Sequence, residues 1–255
     1  MSTIRTDGID YDIIGDDMQL VEVELDPQEG VRAEAGTMIY MDDGIHMQTD
    51  TGGGLFKGFK RMVSGESFFI TTFVHEGQGK SHVAFAAPYP GKIIPVQLDD
   101  FGGEFLCQKD AFLCANASVE IEVAFTKRMG AGLFGGEGFI LQRLTGQGWT
   151  FIHAGGTVVE RTLEAGETLR IDTGCLAAFS SSIDYDIEFI GGFKNALFGG
   201  EGLFLTTLTG PGTVYLQSLP FSRLADRIVA GELANRGESE GPGGTGILGD
   251  LISGS

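Results

Sequence analysis

The sequence predicts an all-β domain made of three copies of one β-rich unit, followed by a short helix. Three observations carry this. One Gly-rich segment recurs at a fixed spacing, apolar and acidic residues alternate over several short stretches, and 41 glycines punctuate a chain of 255 residues. Alternation with period two places one apolar and one polar face on a strand, and closely spaced turn residues suit a sandwich or barrel.

The repetition is read first. Leu133-Phe134-Gly135-Gly136-Glu137-Gly138 recurs as Leu197-Phe198-Gly199-Gly200-Glu201-Gly202, an offset of 197 − 133 = 64 residues. Carried forward without a gap, residues 133–154 and 197–218 are identical at 11 of 22 positions. Carried backward, the offset aligns Val119-Glu120-Ile121-Glu122-Val123 with Ile183-Asp184-Tyr185-Asp186-Ile187. A more diverged copy lies N-terminal, where Ser64-Gly65-Glu66-Ser67-Phe68-Phe69 matches Gly135 to Ile140. Ala35-Gly36-Thr37-Met38 likewise matches Thr173-Gly174-Cys175-Leu176. The copies run over about 10–87, 92–154 and 156–218, in a single domain covering 1–219. The first copy carries an insertion around Gly52–Gly58.

Within the copies, Val21, Val23 and Leu25 alternate with Glu22 and Glu24. Val119, Ile121 and Val123 alternate with Glu120 and Glu122, and Tyr185, Ile187 and Phe189 with Asp186 and Glu188. After the copies, Pro220 opens a helix over 220–231, a position where its missing N–H has no intrahelical partner to lose. Phe221, Leu224, Ala225, Ile228 and Val229 form one apolar stripe expected to dock on the β core. Residues 232–255 read as a flexible Gly-rich tail carrying a short apolar island, Ile247–Ile252.

Composition bounds the partners. With 17 Lys+Arg against 35 Asp+Glu the formal charge is −18, which opposes binding to a phosphate backbone or an anionic membrane surface. No nucleic-acid partner is expected. Hydrophobic residues make up 42% of the chain and the mean hydropathy is +0.09, enough to bury a core. No apolar run reaches transmembrane length. The N-terminus resembles neither a secretory signal nor a transit peptide, which leads to the expectation of a cytoplasmic protein. Cys107, Cys114 and Cys175 are an odd number with no CxxC spacing, so they read as small buried hydrophobes.

The repeated LFGGEG turns, the segment AEAGTMIYM at 33–41 and the stretch GGGLFKGFKRMVSGESFF at 52–69 together carry a family resemblance. The chain resembles the Aim24 family, named for altered inheritance of mitochondria and widespread in bacteria and archaea, over about residues 4–219. The resemblance implies a β-sandwich or double-stranded β-helix-like fold with internal pseudo-threefold symmetry. It is related to the trp RNA-binding attenuation protein. Mitochondrial relatives are implicated in inner-membrane organisation. The family brings no catalytic residues to carry over.

The residues themselves support little chemistry. Gly130-Ala131-Gly132-Leu133-Phe134-Gly135 is formally G-x-G-x-x-G, but a strand rather than a helix is expected after it, and a pyrophosphate would find no helix N-terminus there. His46, His75, His82 and His153 lack the His-x-His pair of a cupin metal site, so no metal and no cofactor is expected. No Gly-x-Ser-x-Gly elbow occurs, and Ser180-Ser181-Ser182 reads as a turn. No catalytic residue is assigned.

What recurs in the copies is one acid and one apolar pair. Glu66, Glu137 and Glu201 occupy equivalent turns and are the candidate binding residues, three carboxylates that would ring a pseudo-threefold axis. The plainer explanation is that each caps turn amides or pairs with a nearby cation. Phe56, Phe134 and Phe198, each after a Leu, are the candidate interface residues, with capping of the core ends as the alternative. The sequence therefore points to a non-enzymatic, self-associating scaffold or interaction protein, with a trimer among the possible homo-oligomers. A small-molecule-binding module is the alternative, and peripheral membrane contact stays open. The combined Phe56, Phe134 and Phe198→Ser variant is expected to lose its oligomer on size-exclusion chromatography with its far-UV circular dichroism unchanged. Loss of the β signal would assign the three rings to the core.

Overall fold

The structure is a computed structural model and describes residues 8–34, 36–49, 70–127, 139–190, 203–225, 227–229 and 231. Strand β1 (Asp10–Ile14) precedes three sets of six. The first set is β2 (Leu20–Leu25), β3 (Gly30–Glu34), β4 (Met38–Met41), β5 (Ile45–Thr49), β6 (Ile70–His75) and β7 (Ser81–Ala86). The second is β8 (Gly91–Gln97), β9 (Glu104–Gln108), β10 (Phe112–Asn116), β11 (Glu120–Lys127), β12 (Phe139–Thr145) and β13 (Trp149–Gly155). The third is β14 (Val158–Leu163), β15 (Thr168–Asp172), β16 (Leu176–Ser180), β17 (Asp184–Ile190), β18 (Leu203–Thr209) and β19 (Gly212–Gln217).

One antiparallel pairing scheme serves all three sets. The sixth strand pairs with the first and the third (β7 with β2 and β4, β13 with β8 and β10, β19 with β14 and β16). The fifth pairs with the fourth and the second (β6 with β5 and β3, β12 with β11 and β9, β18 with β17 and β15). Two further ladders join the sets: β3 pairs with β10, and β9 with β16. The result is two six-stranded sheets, β5-β6-β3-β10-β13-β8 and β11-β12-β9-β16-β19-β14. A four-stranded sheet, β1-β2-β7-β4, and a three-stranded sheet, β15-β18-β17, complete the β structure.

Local sequence explains the strand types. In β2, Val21, Val23 and Leu25 are buried between half-buried Leu20, Glu22 and Glu24, the alternation of a sheet with one wet face. Strands β10 (FLCAN) and β16 (LAAFS) have no alternation and are buried at every position, because sheet neighbours and core cover them on all sides. Cys114, Ala115, Ala177 and Ala178 are small enough for that close packing. Three apolar clusters fill the interior. The first gathers around Val23, Phe73 and Phe85, the second around Phe105, Phe112 and Ile152, and the third around Phe139, Phe179 and Leu208.

A side-chain hydrogen bond recurs at the end of each third strand. The carboxylate of Asp42 accepts from the backbone N–H of His82 at 2.8 Å, the Asn116 amide oxygen from that of Trp149 at 2.8 Å, and the Ser180 hydroxyl from that of Thr213 at 2.9 Å. The carbonyls of the same three residues accept from the N–H of Ile45, Val119 and Ile183. Each thus fixes the turn after its own strand and the start of the sixth strand of its set. A Cβ on Gly148 would lie 2.8 Å from the Asn116 amide, and φ there is +93°, so glycine is needed beside the acceptor.

After the strands, residues 221–225 and 227–229 are helical. The Phe221 ring lies 5.3 Å from that of Tyr89, and the Arg223 guanidinium pairs with Asp172 at 2.6 Å. Leu224 and Ala225 are half-buried. Ile228 and Val229, at the far end of the expected docking stripe, are 60% and 56% exposed. No helix among the described residues is long and apolar enough to cross a membrane.

Asn116→Ala strips the buried acceptor from the Trp149 N–H and is expected to cost about 1–3 kcal/mol in urea unfolding. Asp42→Ala, at an exposed site where water replaces the carboxylate, should cost measurably less.

Candidate functional site

All six residues singled out from the sequence, Glu66, Glu137, Glu201, Phe56, Phe134 and Phe198, lie outside the described residues. The expected strand after Gly130–Gly135 is present as β12, antiparallel to β11. Ser181 and Ser182 form the expected turn. Two other places remain for function, one buried and one exposed.

The buried place is a polar junction where β3 meets the second set. Glu34 ends β3 and is held by its carbonyl, which accepts from the Thr37 hydroxyl at 2.7 Å. Opposite it, the short 3-10 turn 109–111 brings in Lys109 and Asp110. Gln108 braces that turn, donating from Nε2 to the Asp110 carboxylate at 3.0 Å while its Oε1 accepts from the Asp110 N–H at 2.8 Å. Tyr89, in the connection from β7 to β8, donates its hydroxyl to the Asp110 carbonyl at 3.2 Å. The Tyr89 ring packs edge-on against His153 of β13, centroids 4.5 Å apart. A Cβ on Gly91 would lie 2.6 Å from His153 Nε2, so this glycine makes the space for the imidazole.

Burial sets the electrostatics of this junction. Desolvation, then the nearby Asp110 charge, raises the Glu34 carboxyl to about 7, with Lys109 opposing. Desolvation lowers His153 to about 4, only partly offset by its hydrogen bond to the Tyr89 backbone. His153 is 2% exposed, and its Nδ1 has no hydrogen-bond partner among the described residues. Burial also pushes up the thiols of Cys107, Cys114 and Cys175 and the phenol of Tyr89. None of the three cysteines is poised as a nucleophile, since the thiolate is the reactive form. Cys107 and Cys114 are buried and Cys175 half-buried, in line with their apolar surroundings in the sequence.

The other histidines are structural or solvated. His75 is fully buried, its ring nitrogens within hydrogen-bonding distance of the carbonyls of Gly44 and Gly79. His82 lies between Asp42 at 3.0 Å and Glu24 at 3.3 Å, and its hydrogen bond to Asp42 is the chief cause of its raised pKa. His46 stands 3.9 Å from Glu76 at the surface. Among the described residues no group of three His, Cys, Asp or Glu side chains is arranged to hold a metal ion.

The exposed place lies on β4 and the strand that follows it, β5, which belong to different sheets. Ile39, Tyr40 and Met41 are 50%, 40% and 38% exposed, and Met47 is 51% exposed. The corresponding stretches of β10 (Leu113-Cys114-Ala115) and β16 (Ala177-Ala178-Phe179) are at most 1% exposed. Among the described residues, strand β4 pairs on one side only, with β7, and β15 on one side only, with β18. In the sequence, Met38–Met41 stood out as part of a family motif, with Met38 also closing the repeat match to Thr173–Leu176. The legible signal was an apolar run without alternation, which elsewhere in this chain marks a strand covered on both faces.

The family model for mitochondrial biogenesis AIM24 matches residues 11–219, which spans every strand but the first residue of β1. The chain belongs to the AIM24 family. An uncharacterised protein of Streptococcus pyogenes serotype M6 is 33% identical over 214 residues, covering 81% of this chain and 84% of that protein. The X-ray crystal structure of a Streptococcus pyogenes protein is similar with a TM-score of 0.71 at 28% identity, covering 87% of this chain and 99% of that one. AIM24 membership thus brings the same mostly antiparallel β architecture and no named reaction.

The pKa directions at the junction oppose each other in their effect on stability. Glu34 has a raised folded pKa, so its contribution is full below about 4.5 and is lost as pH rises to about 7. His153 has a lowered folded pKa, so its contribution is full above about 6.5 and is lost as pH falls toward 4. Glu34→Gln is therefore expected to raise stability at pH 8 by on the order of 3 kcal/mol. It should also unmask a fall in Tm between pH 6.5 and 4, followed by thermal unfolding across pH.

Proposed function

We propose that this AIM24 member is a non-enzymatic, self-associating scaffold or interaction protein. The observation that carries this reading is the large apolar side chains left exposed on two consecutive strands, Ile39, Tyr40 and Met41 on β4 and Met47 on β5. The counterparts of Ile39, Tyr40 and Met41 in β10 and β16 are buried. The chemistry of the described residues supports the same reading. The thiols of Cys107 and Cys114 and the phenol of Tyr89 sit in the core and are held protonated, away from their reactive anionic forms. Several exposed cations are engaged in ion pairs, such as Lys80 with Glu24 and Arg143 with Glu104.

A second reading, a small-molecule-binding module, is favoured by one observation. His153 Nδ1 is buried with no hydrogen-bond partner among the described residues, and its ring packs against Tyr89. A neutral imidazole nitrogen there suits a small donor ligand or a bound water.

Native mass spectrometry of the protein purified from its host separates the readings. The scaffold reading expects masses at multiples of one chain and no added small mass. It also expects the Ile39→Lys/Met47→Lys variant to weaken the association about tenfold or more. A strictly monomeric protein at every concentration overturns it, and a retained small mass lost in His153→Leu establishes the binding module instead.

A further inference from the structure

Resting on the self-association reading, we propose that copies of this chain join head to tail, β4 of one copy pairing antiparallel with β15 of the next. The warrant is a ladder that the fold makes twice and omits once. The second strand of one set pairs with the third strand of the following set as β3 with β10 and as β9 with β16. By the same scheme β15 is a second strand and β4 is a third strand. Among the described residues each has one unpaired edge, and the two are not paired to each other. A ladder between them would join the four-stranded and three-stranded sheets, and a second copy presents the edge that each of the two needs.

The register follows from internal landmarks. Strands β4, β10 and β16 each carry a bulge at the same place on their sixth-strand partner, between Met38 and Tyr40, Phe112 and Cys114, and Leu176 and Ala178. Each then leads into the polar acceptor Asp42, Asn116 or Ser180. Tyr40 is thus equivalent to Cys114 and Ala178. On the other side, Ala33, Cys107 and Ile171 face Thr71, Gln142 and Thr206 on the fifth strands, so these three are equivalent. The existing ladders place Cys114 opposite Ala33 and Ala178 opposite Cys107. The missing one therefore places Tyr40 opposite Ile171, Met41 opposite Arg170 and Asp42 opposite Leu169.

The side chains at this register are complementary. Arg32 of β3 reaches across its ladder and donates from Nη1 to the Val119 carbonyl at 2.9 Å. Arg170 is the equivalent residue on β15, and Ile45 is the equivalent of Val119, since both N–H groups bond the carbonyl of the third-strand acceptor. In the joined copies Arg170 donates to the Ile45 carbonyl of the neighbour. In the single chain its guanidinium is surface-exposed and 3.6 Å from Glu188. The exposed Ile39, Tyr40 and Met41 would be covered as their buried counterparts in β10 and β16 are. An unpaired strand edge with exposed apolar side chains is the usual template for such addition. A pairing of two different edges is heterologous and continues from copy to copy.

The test uses two full-length variants, each with one blocked edge. Ile39→Lys/Met41→Lys blocks β4, and Arg170→Glu removes the guanidinium from β15 and sets an acid opposite the β4 edge beside Asp42. Far-UV circular dichroism and Tm check that both remain folded. Sedimentation velocity is run on each alone and on their equimolar mixture. The expected result is that wild type grows beyond a dimer with concentration, each variant alone is monomeric, and the mixture stops at two chains. Dimerisation of either variant by itself overturns the head-to-tail pairing while leaving self-association standing. A wild type that is monomeric throughout, with concentration-independent protection of the Tyr40 and Arg170 amides from hydrogen exchange, means that the two edges close within one chain. That outcome overturns this inference and the self-association reading together.

Discussion

The ladders of β3 with β10 and of β9 with β16 are what turn three sets of strands into one molecule. Each forms between residues some 70 to 85 positions apart, such as Ala33 and Cys114 or Cys107 and Ala178. Closing such separations costs chain entropy before any contact returns it. The return is large because the ladders run through the driest part of the fold. Strands β10 and β16 are buried at every residue, so every backbone N–H and C=O there must find a partner in the protein. The three apolar clusters lie on either side of these ladders, and each draws residues from more than one set.

The same desolvation that stabilises the ladders shapes the chemistry beside them. Burial disfavours the charged forms of Glu34 and His153, raising the first to about 7 and keeping the second neutral at neutral pH, because a charge there would lose its water without gaining a matching partner. The polar acceptors Asp42, Asn116 and Ser180 show a graded version of one device. The carboxylate serves where the strand end is exposed, and the neutral amide and hydroxyl serve where it is buried. This choice avoids a buried unpaired charge in the second and third sets while keeping the backbone N–H satisfied.

Much of the strand inventory was legible from residues 21–25, 119–123 and 183–189, since an alternating strand announces which face is wet. The constant offset of 64 also pointed to β12 and β18 and to the glycines before β13 and β19, Gly148 and Gly212, where a Cβ would strike the neighbouring acceptor. Less was legible where a strand is covered on both faces. LAAFS and MIYM are both short apolar runs, yet β16 is buried and β4 is exposed. Nothing in four or five consecutive residues distinguishes them, because the difference lies in whether a distant second strand is present on the other edge. The junction around Glu34, Tyr89, Asp110 and His153 was equally invisible, as its members come from four separate stretches of chain.

By itself, then, the sequence determined that this protein is built from strands, roughly where each begins, and that its surface is acidic. These depend on local periodicity and on composition, which folding does not alter. Only the tertiary structure decided which strand lies beside which, which carboxyl loses its water, and which apolar run is left uncovered. Those outcomes depend on long-range pairing, and the identical local pattern yields a buried strand or an open edge according to what the rest of the chain brings against it.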